Sequence, residues 1–261
     1  GYKGATSTAA AQVNTNDTSK VIIKPNVYSW RNINVYNSFL NSYNYQRNLD
    51  SHMMKNTEWG AVAYLSHSKY GKNAEININN NSNYKTGYSA LPSTNQQTMS
   101  GESGDGVSYN SAYNTTIGYK ASTTGNISGI YDMSGGAAEY VSNYISGVPG
   151  SSGFSTTTLA NYDNKYFDLY NSSSNTPTFQ YRILGDATGE MGPFKLYLDG
   201  DNISRYHTSW NTDYSYFVSS SSSWLNRGGS YINGAIAGAF YFHSYDGGNY
   251  NSVGFRIVLT P

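Results

Sequence analysis

The sequence predicts an α+β domain rich in loops, and three observations carry that expectation. Two segments in the N-terminal half place apolar residues at helical spacing. The C-terminal stretch "SSWLNRGGSYINGAIAGAFYF…VGFRIVLTP" alternates side chains in the manner of strands. Between them, Asn, Ser, Thr, Gly and Tyr dominate long stretches that have neither period. A chain of 261 residues is long enough to bury a substantial core. Residues 1–20 are small, polar and aperiodic and read as linker or frayed start, which leaves 21–261 as a single domain.

In chain order, "SKVIIKPN" (19–26) reads as a short strand stopped by Pro25. "WRNINVYNSFLNSYN" spaces Val35, Phe39, Leu40 and Tyr43 for a short amphipathic helix. "DSHMMKNTEWGAVAYLSHSKYG" (50–71) predicts the strongest helix. Asp50 or Ser51 would cap it, Met54, Glu58, Ala61 and Leu65 would share a face, and Gly71 would end it. Residues 72–128 read as surface loops with a few short strands, "GIYDMSGGAAEYVSNYI" (129–145) as a turn and a partly buried strand, and 146–180 as loop again. "YRILGDATGEMGPF" (181–194) is expected against the core. Asn233-Gly234 and Gly247-Gly248 supply turns between the terminal strands.

Composition excludes several classes of function. The 16 basic and 16 acidic residues balance, so no field steers the chain onto nucleic acid or anionic membrane. No apolar run approaches the roughly 20 residues of a membrane span, and direct membrane insertion of this segment is not expected. The absence of cysteine removes disulfides, zinc-thiolate sites and thiol nucleophiles. No signal peptide opens the chain, and "GYKGATSTAAAQ" reads as the middle of a longer or trimmed protein. The abundance of Tyr, Gly, Ser and Asn fits an adaptable recognition surface and equally a β protein with many turns.

No catalytic constellation emerges. His52, His67, His207 and His243 are scattered without metal-ligand spacing. "GESGDG" (101–106) lacks the flanking strand and helix of a phosphate-binding loop. Asp132 and Glu139 would point to opposite faces of a strand and do not form an acid/base pair. Asp199, Asp201 and Asn202 could offer oxygens to Ca2+, but an Asx turn accounts for them better. No catalytic or metal-ligating residue and no cofactor is therefore expected, although the Asn/Asp-rich loops leave room for one structural Ca2+ ion.

Three segments together resemble the formylglycine-generating-enzyme-like proteins. "NTEWGAVAYLSHSKYG" is similar to their Glu-x-x-Trp helix, "GIYDMSGGAAEYV" to their "G-x-Y-D-M-x-G-N-V-x-E-W" turn, and "RGGSY…GFRIVL" to their terminal pair of strands. The likeness spans about residues 27–261 and implies a loop-rich variant of the C-type lectin fold. The enzymes of that family act through C-terminal cysteines that this chain lacks, and Gly135-Gly136-Ala137 stands where they carry Gly-Asn-Val. The calcium-dependent sugar motifs of animal C-type lectins are absent too. Within that fold the chain also resembles binding proteins of phages and bacteria diversified by retroelements, and surface proteins of gut bacteria. That resemblance implies a non-enzymatic receptor or adhesin at the cell or virion surface, with a protein or glycan ligand on another surface. A structural surface or pilus-tip subunit, or a degenerate enzyme of the family, remains the alternative.

In such proteins miscopied adenines turn Asn codons into many residues, but never into Lys, Glu, Gln, Met or Trp. Those five types are missing from Gly228 to Val253, although they make up about 11% of the chain. Small exposed turns thin them out as well. Within this stretch Gly228, Gly229, Gly234 and Gly238 supply tight turns, and Trp224, Phe240, Phe242 and Phe255 are the expected core anchors. Arg227 and Arg256 are expected to bridge carbonyls or carboxylates. Ser230, Ile232, Ala235, Ile236, Tyr241, His243, Tyr245, Asn249, Tyr250 and Ser252 are expected to face outward as the ligand-binding surface. Tyr241, Tyr245 and Tyr250 would be its aromatic anchors.

Overall fold

The computed structural model describes residues 5–6, 12–90, 111–170 and 209–260. It is a mixed α+β structure rich in loops. Its strands are β1 (Ala5–Thr6), β2 (Tyr28–Ser29), β3 (His52–Met53), β4 (Tyr88–Ser89), β5 (Ser111–Ala112), β6 (Ala138–Tyr140) and β7 (Asn143–Ile145). They continue with β8 (Asp168–Tyr170), β9 (Ser215–Tyr216), β10 (Trp224–Arg227), β11 (Phe242–Tyr245), β12 (Val253–Phe255) and β13 (Ile257–Val258). The α-helices are α1 (Val35–Tyr43), α2 (Asn56–Ser66) and the single turn α3 (Thr156–Leu159).

The central sheet has the order β12-β6-β10-β11-β9, with β10 antiparallel to both neighbours and the outer pairs parallel. Side chains alternate across a strand, so β10 feeds two cores. Leu225 joins Trp59, Val141, Phe240 and Phe242 on the α2 side. Trp224 joins Trp30, Phe39, Tyr140 and Phe255 on the α1 side.

Helix α1 forms where its spacing predicts. Asn34 caps it by accepting from the Asn37 amide at 2.9 Å. Phe39 packs into a cluster of rings that includes Phe167 at 4.9 Å and Tyr162 at 4.7 Å. Where the sequence reads as linker, residues 13–17 lie against this helix and its approach. Trp30 Nε1 donates to the Val13 carbonyl at 2.8 Å, and Asn41 holds both the Asp17 amide and the Thr15 carbonyl.

Two expectations need correction. The expected strand at 19–26 is a 3-10 turn at Thr18–Lys20 followed by irregular chain, and pairing begins only at Tyr28. Asn26 turns left-handed at φ 58° and donates its amide to the Thr86 carbonyl, so the segment bonds to a loop and not to a strand. Helix α2 starts at Asn56 and not near Asp50, because His52 and Met53 pair with Val258 and Ile257 some 200 residues away. Its buried stripe is Asn56, Trp59, Gly60, Ala63 and Ser66, while Ala61 is exposed and Leu65 is 57% exposed. Trp59 fixes that rotation by donating Nε1 to the Ala239 carbonyl at 2.8 Å. "GESGDG", the segment 181–194, His207 and the Asp199–Asn202 turn lie outside the described residues.

Candidate functional site

The site is built from the turn after β10. Gly228 and Gly229 sit at φ 79° and 63°, a conformation open to glycine at little cost. A Cβ on Gly229 would meet the Ala237 Cβ at 2.8 Å. The turn is pinned from below, since the Gly135 amide donates to the Gly228 carbonyl and the Tyr231 amide to the Gly136 carbonyl, each at 2.8 Å. The chain then winds through a 3-10 helix, Tyr231–Ile236, opened by Asn233 Oδ1 accepting from the Ser230 amide at 2.7 Å. It returns as β11, whose His243 and Tyr245 lie opposite Asn226 and Trp224 of β10.

Beneath this layer the two expected arginines are buried. Arg227 donates Nε to the Tyr241 carbonyl at 2.8 Å and Nη1 to Asn56 Oδ1 at 2.6 Å, tying β10 to the approach of β11 and to α2. Arg256 holds Glu139 through Nε at 2.8 Å and Nη2 at 2.7 Å, and donates to the Tyr131 carbonyl. Both guanidiniums lie within 6 Å of the Trp59 ring, at 5.7 and 5.8 Å. Trp224, Phe240, Phe242 and Phe255 are fully buried core residues, as expected.

Above the arginines the sheet carries an open concavity of about 230 Å3. Seven of the ten expected surface residues line it: Ser230, Ile232, Ile236, Tyr241, His243, Tyr245 and Ser252. Asn249 and Tyr250 lie outside the lining. Tyr250 is 37% exposed, packs edge-on against Tyr245 at 5.0 Å and donates to Asp246 Oδ1 at 2.9 Å.

Three of the ten do not face outward. Ser230 is 3% exposed because its amide and hydroxyl both donate to Asn233. Ala235 is 8% exposed in the turn of the 3-10 helix. Tyr241 is 4% exposed, its ring stacked on Tyr214 at 5.5 Å, and it forms a wall of the concavity and not a free anchor.

No family model and no curated protein matches the chain. The site is therefore read from its own chemistry. Five lining residues escaped the sequence reading: Ala138, Tyr214, Asn226, Asn233 and Val253. Asn226 carried a signal, as a polar side chain two positions from Trp224 within one strand. Ala138, Val253 and Tyr214 carried none, since they arrive through pairings of β12 with β6 and of β9 with β11.

The lining is neutral. Among its side chains only His243 could be a cation near neutral pH, and burial pushes its imidazole down to about 4. Burial likewise holds the Tyr241 phenol well above its ordinary range. The His243 ring meets Tyr214, Tyr216 and Tyr245 edge-on at 5.0, 5.8 and 4.8 Å. Such a surface can hydrogen-bond and stack.

Elsewhere, His52 Nε2 contacts Glu58 Oε1 at 2.9 Å, and His67 Nε2 contacts Asn211 Nδ2 at 3.0 Å. Asp132 accepts from Asn79 and Gly87 and is apart from the Glu139–Arg256 pair. Among the described residues no group of three or more His, Asp or Glu could hold a metal, and no helix is long and apolar enough to cross a membrane.

Proposed function

We propose that this chain is a non-enzymatic ligand-binding protein with a C-type-lectin-like fold of the formylglycine-generating-enzyme-like type, displayed on a cell or virion surface as a receptor or adhesin. Its recognition surface is the C-terminal face between Arg227 and Arg256. One observation carries the reading: seven residues of assorted chemistry converge on one concavity, over a floor held by buried arginines that do not reach it. A backbone fixed from below tolerates exchange of the side chains above it, and preorganisation lowers the entropic cost of binding. The lining side chains offer hydrogen bonds and ring surfaces, which suits binding.

Sequencing the gene's 3′ end and flanking DNA in sibling isolates tests this. The expected result is change confined to codons derivable from Asn triplets between Arg227 and Arg256, at positions such as Ile232, Ile236, His243 and Tyr245, with a near-identical template nearby. An invariant 3′ end without a template would overturn diversified recognition and leave a fixed assembly subunit as the reading.

A further inference from the structure

Arg31, from the N-terminal part of the chain, places a cation at the rim of the concavity. Its side chain is largely buried, and the residue is 7% exposed. Nη1 donates to the Asn251 carbonyl, and the guanidinium lies 3.8 Å over the centre of the Tyr84 ring. Tyr84 in turn packs edge-on against Tyr231 at 4.9 Å. Ser252 and Ile232, the chain neighbours of Asn251 and Tyr231, line the concavity. The Asn32 amide donates to the Tyr250 carbonyl at 2.8 Å and holds this stretch against the 250–251 turn.

Among the described residues no carboxylate pairs with Arg31, and the side chains acting on its charge are the phenols of Tyr84 and Tyr231. Arg256, by contrast, is held by Glu139. Asp246, the one acidic residue between Gly228 and Phe255, already accepts from the Gly248 amide and the Tyr250 hydroxyl. A desolvated charge without a counter-charge is costly, and burial pulls the Arg31 guanidinium below its ordinary value. The face of Tyr84 offsets part of that cost. Nε has neither accessible surface nor a partner. Nη2 also lacks a partner but is not closed off from solvent, so it is the nitrogen that an incoming group can reach.

One reachable nitrogen and one uncompensated charge match a monoanion. A carboxylate carries a single charge, whereas a phosphate monoester carries nearly two at neutral pH. The segment Gly228–Phe255 holds neither Lys nor Arg. Its side chains supply shape and hydrogen bonds, and the cation reaches the same face from outside the segment.

We propose that Arg31 is a carboxylate-binding subsite at the rim of the concavity, with Nη2 donating to one carboxylate oxygen of the ligand while the rest of the ligand lies across the concavity. This rests on the binding reading above and adds a fixed charged contact to it.

The first test titrates the full chain with sodium acetate against sodium chloride at constant ionic strength. Acetate is expected to raise the melting temperature above the chloride value and to shift the Arg31 guanidinium resonance in a 15N spectrum of the parent protein, a reading that needs no variant. Arg31→Gln keeps an amide donor but loses the charge. It should abolish the acetate effect while melting within about 4 °C of the parent. The second test uses printed arrays of carboxylated peptides and sialylated oligosaccharides, each beside its amidated or esterified counterpart and beside sulfated oligosaccharides. The best ligand should carry a carboxylate, and should lose roughly tenfold or more in affinity when that group is neutralised or when Arg31→Gln is used. The array it comes from identifies the source of the carboxylate. An acetate response no larger than that of chloride, or full affinity in Arg31→Gln, overturns the subsite. A marked fall in the melting temperature of Arg31→Gln makes the residue a strut for the Asn251 turn and overturns it too. A ligand that binds this face through a sulfate, or without any anion, overturns the subsite and leaves the receptor reading intact. Binding on neither array, together with an invariant 3′ end, overturns both.

Discussion

Arg256 and Glu139 form a doubly hydrogen-bonded ion pair inside the core, Nε 2.8 Å from Oε2 and Nη2 2.7 Å from Oε1, with both side chains almost fully buried. The pair joins the residue after β12 to the centre of β6, the strand alongside it. Removing one partner strands the other charge in a low-dielectric interior, which costs about 3–5 kcal/mol. Glu139→Gln is therefore expected to lower the melting temperature by about 10 °C. Replacing both residues, as Glu139→Leu with Arg256→Met, should recover part of that loss. Urea and thermal melts of the three variants check this, and a Glu139→Gln protein as stable as the parent would contradict it.

Tyr241 and Tyr250 should separate cleanly. Tyr241 is a buried wall stacked on Tyr214, so Tyr241→Ala opens a cavity and should cost about 3 kcal/mol or more. Tyr250 is half-exposed beside the concavity, and Tyr250→Ala should change stability by about 0.5–1 kcal/mol. Denaturant midpoints measured on both variants decide the ordering.

The turn after β10 should reject a side chain. At Gly229 an added methyl combines a left-handed backbone with a 2.8 Å approach to Ala237. Gly229→Ala is expected to destabilise by about 1–3 kcal/mol. Gly147, also left-handed at φ 78° but with open space around it, is the control and should lose only about 1 kcal/mol. Equal losses at the two sites would refute the packing argument.

Two histidines should shape the pH dependence in opposite senses. The unfolded His243 imidazole protonates near pH 6.5, whereas burial holds the folded one to about 4. Stability is thus complete above pH 6.5 and falls between 6.5 and 4, by no more than about 3 kcal/mol. Burial works to lower the His52 imidazole too, but the hydrogen bonds to Glu58 and the Asp50 carbonyl raise it on balance. Its contribution is complete below pH 6.5 and is lost as pH rises through the raised value. His243→Phe should flatten the acid limb, and His52→Gln should flatten the slope above neutrality. Comparing each variant with the parent separates these imidazoles from Asp213, whose carboxyl, raised by burial, acts opposite to His243. Urea midpoints at pH 4.5, 6 and 8 provide the measurement.

The sequence by itself determined the α+β class, helix α1, the buried Trp224, Phe240, Phe242 and Phe255, and the bridging arginines. Each follows from local information: spacing within one helix, ring size, or a guanidinium that cannot stay buried without oxygen partners. It also delimited the stretch that supplies most of the concavity. Only the tertiary structure decided which side chains of that stretch point where. The pairing of His52–Met53 with Ile257–Val258 moved the start of α2, and the contact of Trp59 with Ala239 turned its buried face away from Leu65. Stacking on Tyr214 took Tyr241 out of solvent, and the registers of β6, β10 and β11 brought Asn226 into the lining. Shifting a strand by one residue sends every side chain to its other face. The partners that fix these registers are separated by up to about 200 residues, so no local pattern in the sequence could set them.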